Sequence, residues 1–185
     1  MLFNDSISNH KSQIYCMAKP NTSDYPEYFG RYINQVPEED LQEAFKNQFS
    51  KIESFLLFVN EEKAAFAYAP GKWTLKELLQ HVIDAERIFN YRALCFARKE
   101  NAPLPSFNEN LYAENSNANT RSWKSLVNEF LNVRRSSEDL FSSFSDGILQ
   151  QKGTAGNNLI SVLSLGFIII GHVYHHIKVA EEKYL

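Results

Sequence analysis

The stretch SLGFIIIGHVYHHIKVAEEKYL, residues 164–185, decides how this chain is read. From Val162 to Ile170 it is apolar nearly all round, the pattern of a helix buried on every side. Ser161 is a suitable N-cap, so a helix is predicted from there almost to Leu185. Three histidines interrupt it: His172, His175 and His176. On a helix His172 and His176 lie about 40° apart and one turn along the axis, while His175 points roughly 80–140° away. Leu165 and Ile169 continue the His172/His176 face, which turns that face toward neighbouring helices.

A second stretch, WTLKELLQHVIDAERIF at residues 73–89, carries His81. The chain has five histidines, and four of them sit in these two stretches. Thr74 and Glu77 form a capping box, which sets a sharp helix start. Leu75, Leu79, Val82, Phe89, Ala93 and Phe96 make the apolar stripe. His81 falls at its edge, beside Ala85 and Ile88.

Two further helices follow from apolar spacing. One is predicted from Pro37, with Glu38, Glu39 and Asp40 in the first turn, through Leu41, Phe45, Phe49, Ile52 and Leu56 to about residue 60. The other runs from Thr120 or Ser122 to Phe144, with Trp123, Leu126, Val127, Phe130, Leu140 and Phe141 inward and Asp146-Gly147 as the stop. Residues 61–72 are read as a connection with one helical turn, and GTAGNN as a glycine-rich link. No segment alternates long enough to be a strand. Residues 20–37 read as an extended arm whose Tyr25, Tyr28, Phe29 and Tyr32 pack on the bundle. The polar loop 98–119 is long enough to act as a lid that sets specificity. The expectation is an all-α four-helix bundle with an extended N-terminal arm.

At 185 residues the chain suits one domain with a real core. We expect that domain over 20–185, with 1–19 a tail outside the fold; Met17 is either the natural start or part of that tail. A net charge of −3 and no basic stripe exclude nucleic acid as a partner. No uninterrupted apolar run reaches the ~18 residues of a membrane span, and the N-terminus has no signal-peptide pattern. Cys16 and Cys95 lie far apart without a CxxC pair, which suits a reducing cytoplasm. Cys95 reads as a small core residue, with a catalytic thiol as the alternative.

The histidine spacing leaves two readings open. His172 and His176 can hold one metal ion from one helix face. His81 is the remaining internal histidine that could complete a three-histidine site with an open position for water or substrate. Zinc suits such a set; nickel, iron or manganese also fit. Alternatively, all three are satisfied core histidines. Glu86, in the apolar stripe about 140° from His81, reads as one half of a buried pair with Arg134 or Arg135, and less readily as a group that supports the metal ligands. Asp84 can orient a ligand or act as a base, or simply pair with Arg87. Trp73 and Trp123 read as packing residues, Trp73 with the option of lining a pocket.

The blocks PGKWTLKELLQHVIDAERIFNYRALCFAR at 70–98 and GHVYHHI at 171–177, with VRRSSEDLF between them, resemble the DinB-like (DinB/YfiT) superfamily over nearly all of 20–185. The resemblance implies a four-helix bundle and one divalent metal, zinc or nickel, held by His81, His172 and His176. It implies hydrolase or S-transferase chemistry on a small molecule, with water or a low-molecular-weight thiol as nucleophile, and a homodimer. The alternative on the same fold is a stress-related protein that binds metal or a small molecule without turnover. Val173 stands where many relatives have an acidic residue, and Ile177-Lys178 where many have Gly-Gln. Neither change touches a ligand.

Overall fold

The computed structural model describes residues 18–185. The expectations on residues 1–16, Cys16 and Met17 lie outside the described residues. In chain order the elements are α1 (Gly30–Ile33), α2 (Leu41–Phe58), α3 (Glu61–Ala64), α4 (Leu75–Ala97), α5 (Glu109–Asn115), α6 (Trp123–Ser142), α7 (Asp146–Leu149), β1 (Lys152–Ala155), β2 (Asn158–Ser161) and α8 (Val162–Lys183).

The four long helices α2, α4, α6 and α8 form the bundle, with α8 against α4, α2 and α1, and α6 against α4 and α2. Each begins at a side-chain cap that stills an orphan N–H of the first turn. Asp40 Oδ1 accepts from Glu43 N at 2.8 Å, Ser122 Oγ from Ser125 N at 3.2 Å, and Ser161 Oγ from Ser164 N at 3.0 Å. At α4 the capping box is complete: Thr74 Oγ1 accepts from Glu77 N at 3.1 Å while Glu77 Oε2 accepts from Thr74 N at 2.8 Å. Leu165, Phe167, Ile168, Ile169 and Ile170 are all buried, each worth about 1.5–3 kcal/mol of apolar burial. By length and composition α8 could cross a membrane, but 67% of its apolar window is covered by the bundle; its greasiness faces other helices.

A belt of polar side chains crosses the middle of this apolar core. Arg134 on α6 donates to Glu86 Oε2 on α4 at 2.9 Å and to Gln48 Oε1 on α2 at 2.8 Å. Gln48 donates on to the Ile170 carbonyl of α8 at 2.7 Å. Ser137 donates to Glu86 Oε1 at 2.6 Å and accepts from Asn90 at 2.8 Å. All four long helices are thus keyed together two residues before His172. Glu86 is the buried partner of Arg134, as the stripe position implies. Burial pushes its carboxyl up, against the lowering pull of Arg134 and Ser137.

Four expectations need correction. The first long helix starts at Leu41 rather than Pro37, because the Asp40 carboxylate caps it. The arm is not extended: 3-10 turns at Thr22–Asp24 and Glu27–Phe29 lead into α1. Tyr25 and Tyr32 are buried, but Tyr28 is 55% exposed. Asp146-Gly147 does not stop α6, which ends at Ser142; it opens the short α7. Finally, the glycine-rich link is a hairpin in which Lys152 pairs with Ser161 and Ala155 with Asn158. Gly156 (φ +56°) and Asn157 (φ +65°) both adopt the left-handed region, as a two-residue hairpin turn demands. The hairpin also tacks down the 98–119 loop: Leu104 N donates to Thr154 O at 2.9 Å and Gly156 N to Leu104 O at 3.0 Å.

Candidate metal centre

His81 sits in the second turn of α4, its position along the bundle set by the capping box. His172 and His176 sit one turn apart on α8, held in axial register by the Gln48 bond to Ile170. The three ring nitrogens meet. Nε2 of His172 is 3.2 Å from Nε2 of His81 and 3.0 Å from Nε2 of His176, and one ligand atom from each ring lies within 4.8 Å of the others.

Aromatic rings wall the cluster. Trp73 lies over His81 with ring centroids 5.0 Å apart. Tyr32 meets His172 edge-on at 5.2 Å, and Phe89 meets it edge-on at 6.1 Å. Tyr32 can come this close because of Gly171, where any β-carbon would collide with the Tyr32 carbonyl. On the inner side a small apolar cavity of about 40 Å³ reaches His176 between Leu79, Val82, Phe130 and Val173.

Burial dominates the electrostatics. It pulls His81 down to about 4, with the nearby His175 adding to the shift. It holds His172 and His176 well below the usual histidine value, helped at both by His81, His175 and Arg31 and at His172 also by His176. All three rings are therefore neutral at pH 7, the form that ligates metal.

The donor set fits a metal ion. A nitrogen in neutral imidazole carries either one hydrogen or one lone pair. His172 Nε2 therefore cannot make two linear hydrogen bonds to its two close neighbours, whichever tautomers are chosen. A tetrahedral zinc with bonds of about 2.0–2.1 Å spaces its nitrogens about 3.3 Å apart, close to the two separations observed. His176 Nδ1 is buried without a partner among the described residues, so packing alone orients that ring.

The other named residues fall elsewhere. His175 turns to the Tyr32 ring at 5.4 Å. Asp84 accepts from Gln80 at 2.9 Å and lies 3.8 Å from Arg87, facing a surface network with Glu129 and Arg121 rather than the histidines. Glu86 belongs to the belt. Cys95 is half-buried beside the core cluster. Tyr32, Phe89 and Arg31 are neighbours of the site that spacing alone did not reveal; Gly171, directly before the first histidine of α8, was the available hint that something packs there.

The fold is a four-helix bundle in which three histidines from two of the helices converge on a point that could hold a metal ion. The chain belongs to the DinB superfamily, whose family model matches residues 32–180. Among solved structures it is similar to YfiT from Bacillus subtilis, described as a probable metal-dependent hydrolase with an unusual four-helix bundle topology. The TM-score is 0.66 at 16% identity, over 89% of this chain and 92% of that one. No curated protein matches the chain.

Proposed function

We propose that this chain is a metal-dependent enzyme whose His81, His172 and His176 hold one divalent ion, zinc or nickel in preference to iron or manganese. Its reaction is hydrolysis or thiol transfer on a small molecule. The observation that carries this reading is the meeting of three neutral nitrogens that cannot satisfy one another. A bound ion supplies Lewis acidity toward water or a low-molecular-weight thiol. The chain's own residues hold that ion, and Trp73, Tyr32 and Phe89 shield it from bulk water. The same reading has the protein acting in the cytoplasm as a homodimer, without nucleic acid.

One observation favours a second reading, metal or small-molecule binding without turnover. No carboxylate lies within 4 Å of the histidine rings among the described residues, so no acidic general base stands ready. Metal analysis of tag-free protein tests both readings. Near-stoichiometric metal that drops in His172→Ala is the expected result; trace metal unchanged by that substitution ends the metal site in either reading. Metal-dependent turnover of ester, amide or thiol-plus-electrophile substrates, lost in His81→Ala, selects the enzyme. A folded, metal-loaded protein inactive across the panel selects binding.

A further inference from the structure

Arg31 stands out among the cations near the site. The arginines that key the bundle have acid or carbonyl partners: Arg134 has Glu86, Arg87 and Arg121 share Glu129, and Arg92 donates to the Pro105 carbonyl. Arg31 has no carboxylate within 4 Å among the described residues. Its guanidinium lies over the Tyr28 ring at 3.8 Å and the Tyr32 ring at 4.8 Å. One nitrogen, Nη2, donates to both hydroxyls, at 2.8 Å for Tyr32. Phenols are neutral at pH 7, so these contacts hold the charge without cancelling it. The remaining N–H groups of the fork are free for another acceptor.

Arg31 is exposed and lies near the histidines. With the guanidinium carbon 4.8 Å from the Tyr32 ring centre, and that centre 5.2 Å from the His172 ring, Arg31 lies within about 10 Å of His172. The charged side chains whose fields reach His172, His175 and His176 are Arg31 and Lys178, both cationic. A divalent ion adds further positive charge to a pocket with no acid beside it. Like charges at this range repel unless an anion lies between them.

We propose that Arg31 is the anion-recognising residue of this site, so that the molecule taken up beside the histidines is a small carboxylate or phosphate compound. Arginine's planar fork matches either group with paired hydrogen bonds. A separation of at most about 10 Å between the guanidinium and the His172 ring is within reach of a small organic acid whose charged end rests on Arg31. This inference rests on the metal reading above.

The test uses full-length protein loaded with cobalt(II), whose visible band reports the histidine environment. Acetate, inorganic phosphate and neutral imidazole are titrated separately in low-chloride buffer. Arg31→Gln should weaken acetate, phosphate or both by about tenfold, the worth of one charge-assisted hydrogen bond, and leave imidazole unchanged. Which anion responds identifies the group. Arg31→Lys should recover part of the loss. Unchanged anion affinity in Arg31→Gln, or an equal loss for imidazole, overturns the proposal. If no histidine-dependent cobalt band forms, the metal reading falls and this proposal falls with it.

Discussion

Two polar clusters are buried in this bundle, and they are built on opposite principles. The Glu86–Arg134 belt joins opposite charges and closes on itself through Ser137, Gln48 and a backbone carbonyl. The histidine cluster joins three like groups that compete for protons and leave one nitrogen without a partner. The belt leaves Arg134 Nε and Asn90 Oδ1 without partners among the described residues, but its charges cancel within the protein. The histidines make chemical sense with something added. Neither burial of polar atoms nor a single unpartnered atom therefore marks a functional site by itself; what separates the two clusters is that the belt pairs unlike groups and the histidines crowd like ones.

Removing half of a closed pair should do the most damage. Arg134→Ala leaves a buried carboxylate uncompensated and should cost about 3–5 kcal/mol in urea unfolding, whereas replacing the pair together, Glu86→Leu with Arg134→Met, should be close to neutral. A loss under about 1 kcal/mol for Arg134→Ala would mean that the belt does not hold the bundle.

The histidines should behave inversely. Without metal, His172→Leu should be at least as stable as the parent, since it removes a buried polar nitrogen that can bond only one of its two close neighbours. Zinc at 100 times its Kd should stabilise the parent by about 2.7 kcal/mol and His172→Leu not at all. If His172→Leu unfolds the metal-free protein, the histidines are structural core and the contrast collapses.

Acid provides the smallest and most selective probe. Burial lowers the folded-state pKa of His81 from 6.5 to about 4 and also holds His172 and His176 well below 6.5. Below pH 6.5 the unfolded chain thus binds more protons than the folded one. Metal-free stability is full above that pH and falls as pH drops toward 4. Between pH 7 and 6 each histidine should contribute a loss of roughly 0.7 kcal/mol. The urea midpoint measured at both pH values should fall in the parent, and fall less in His172→Leu. A midpoint that stays level would contradict the neutral, buried state of the rings.

Much of this molecule was legible in its residues. Apolar spacing and the Thr74–Glu77 capping box place α4, and Ser161 places the start of α8. The four-residue interval between His172 and His176 is a property of any helix. The hairpin escaped because its strands are four residues each, too short for alternation to register, and its turn rests on left-handed Gly156 and Asn157. The neighbourhood of the site escaped for a different reason. Tyr32 and Arg31 sit on or beside a helix of four residues, whose docking depends on the missing side chain of Gly171 in a segment far along the chain. Such contacts are tertiary and leave no periodic trace.

His81 and His172 are 91 residues apart in sequence. An ion that ties them would close a loop containing α5, α6, α7 and the hairpin. As a permanent cross-link, a loop of that size would be worth about 4–5 kcal/mol of unfolded-chain entropy. The His172/His176 pair, by contrast, is local and can meet an ion on a single helical turn. The third ligand is then what couples the ion to the topology of the whole chain. Metal held by all three would therefore stabilise the state in which α4 and α8 are packed together.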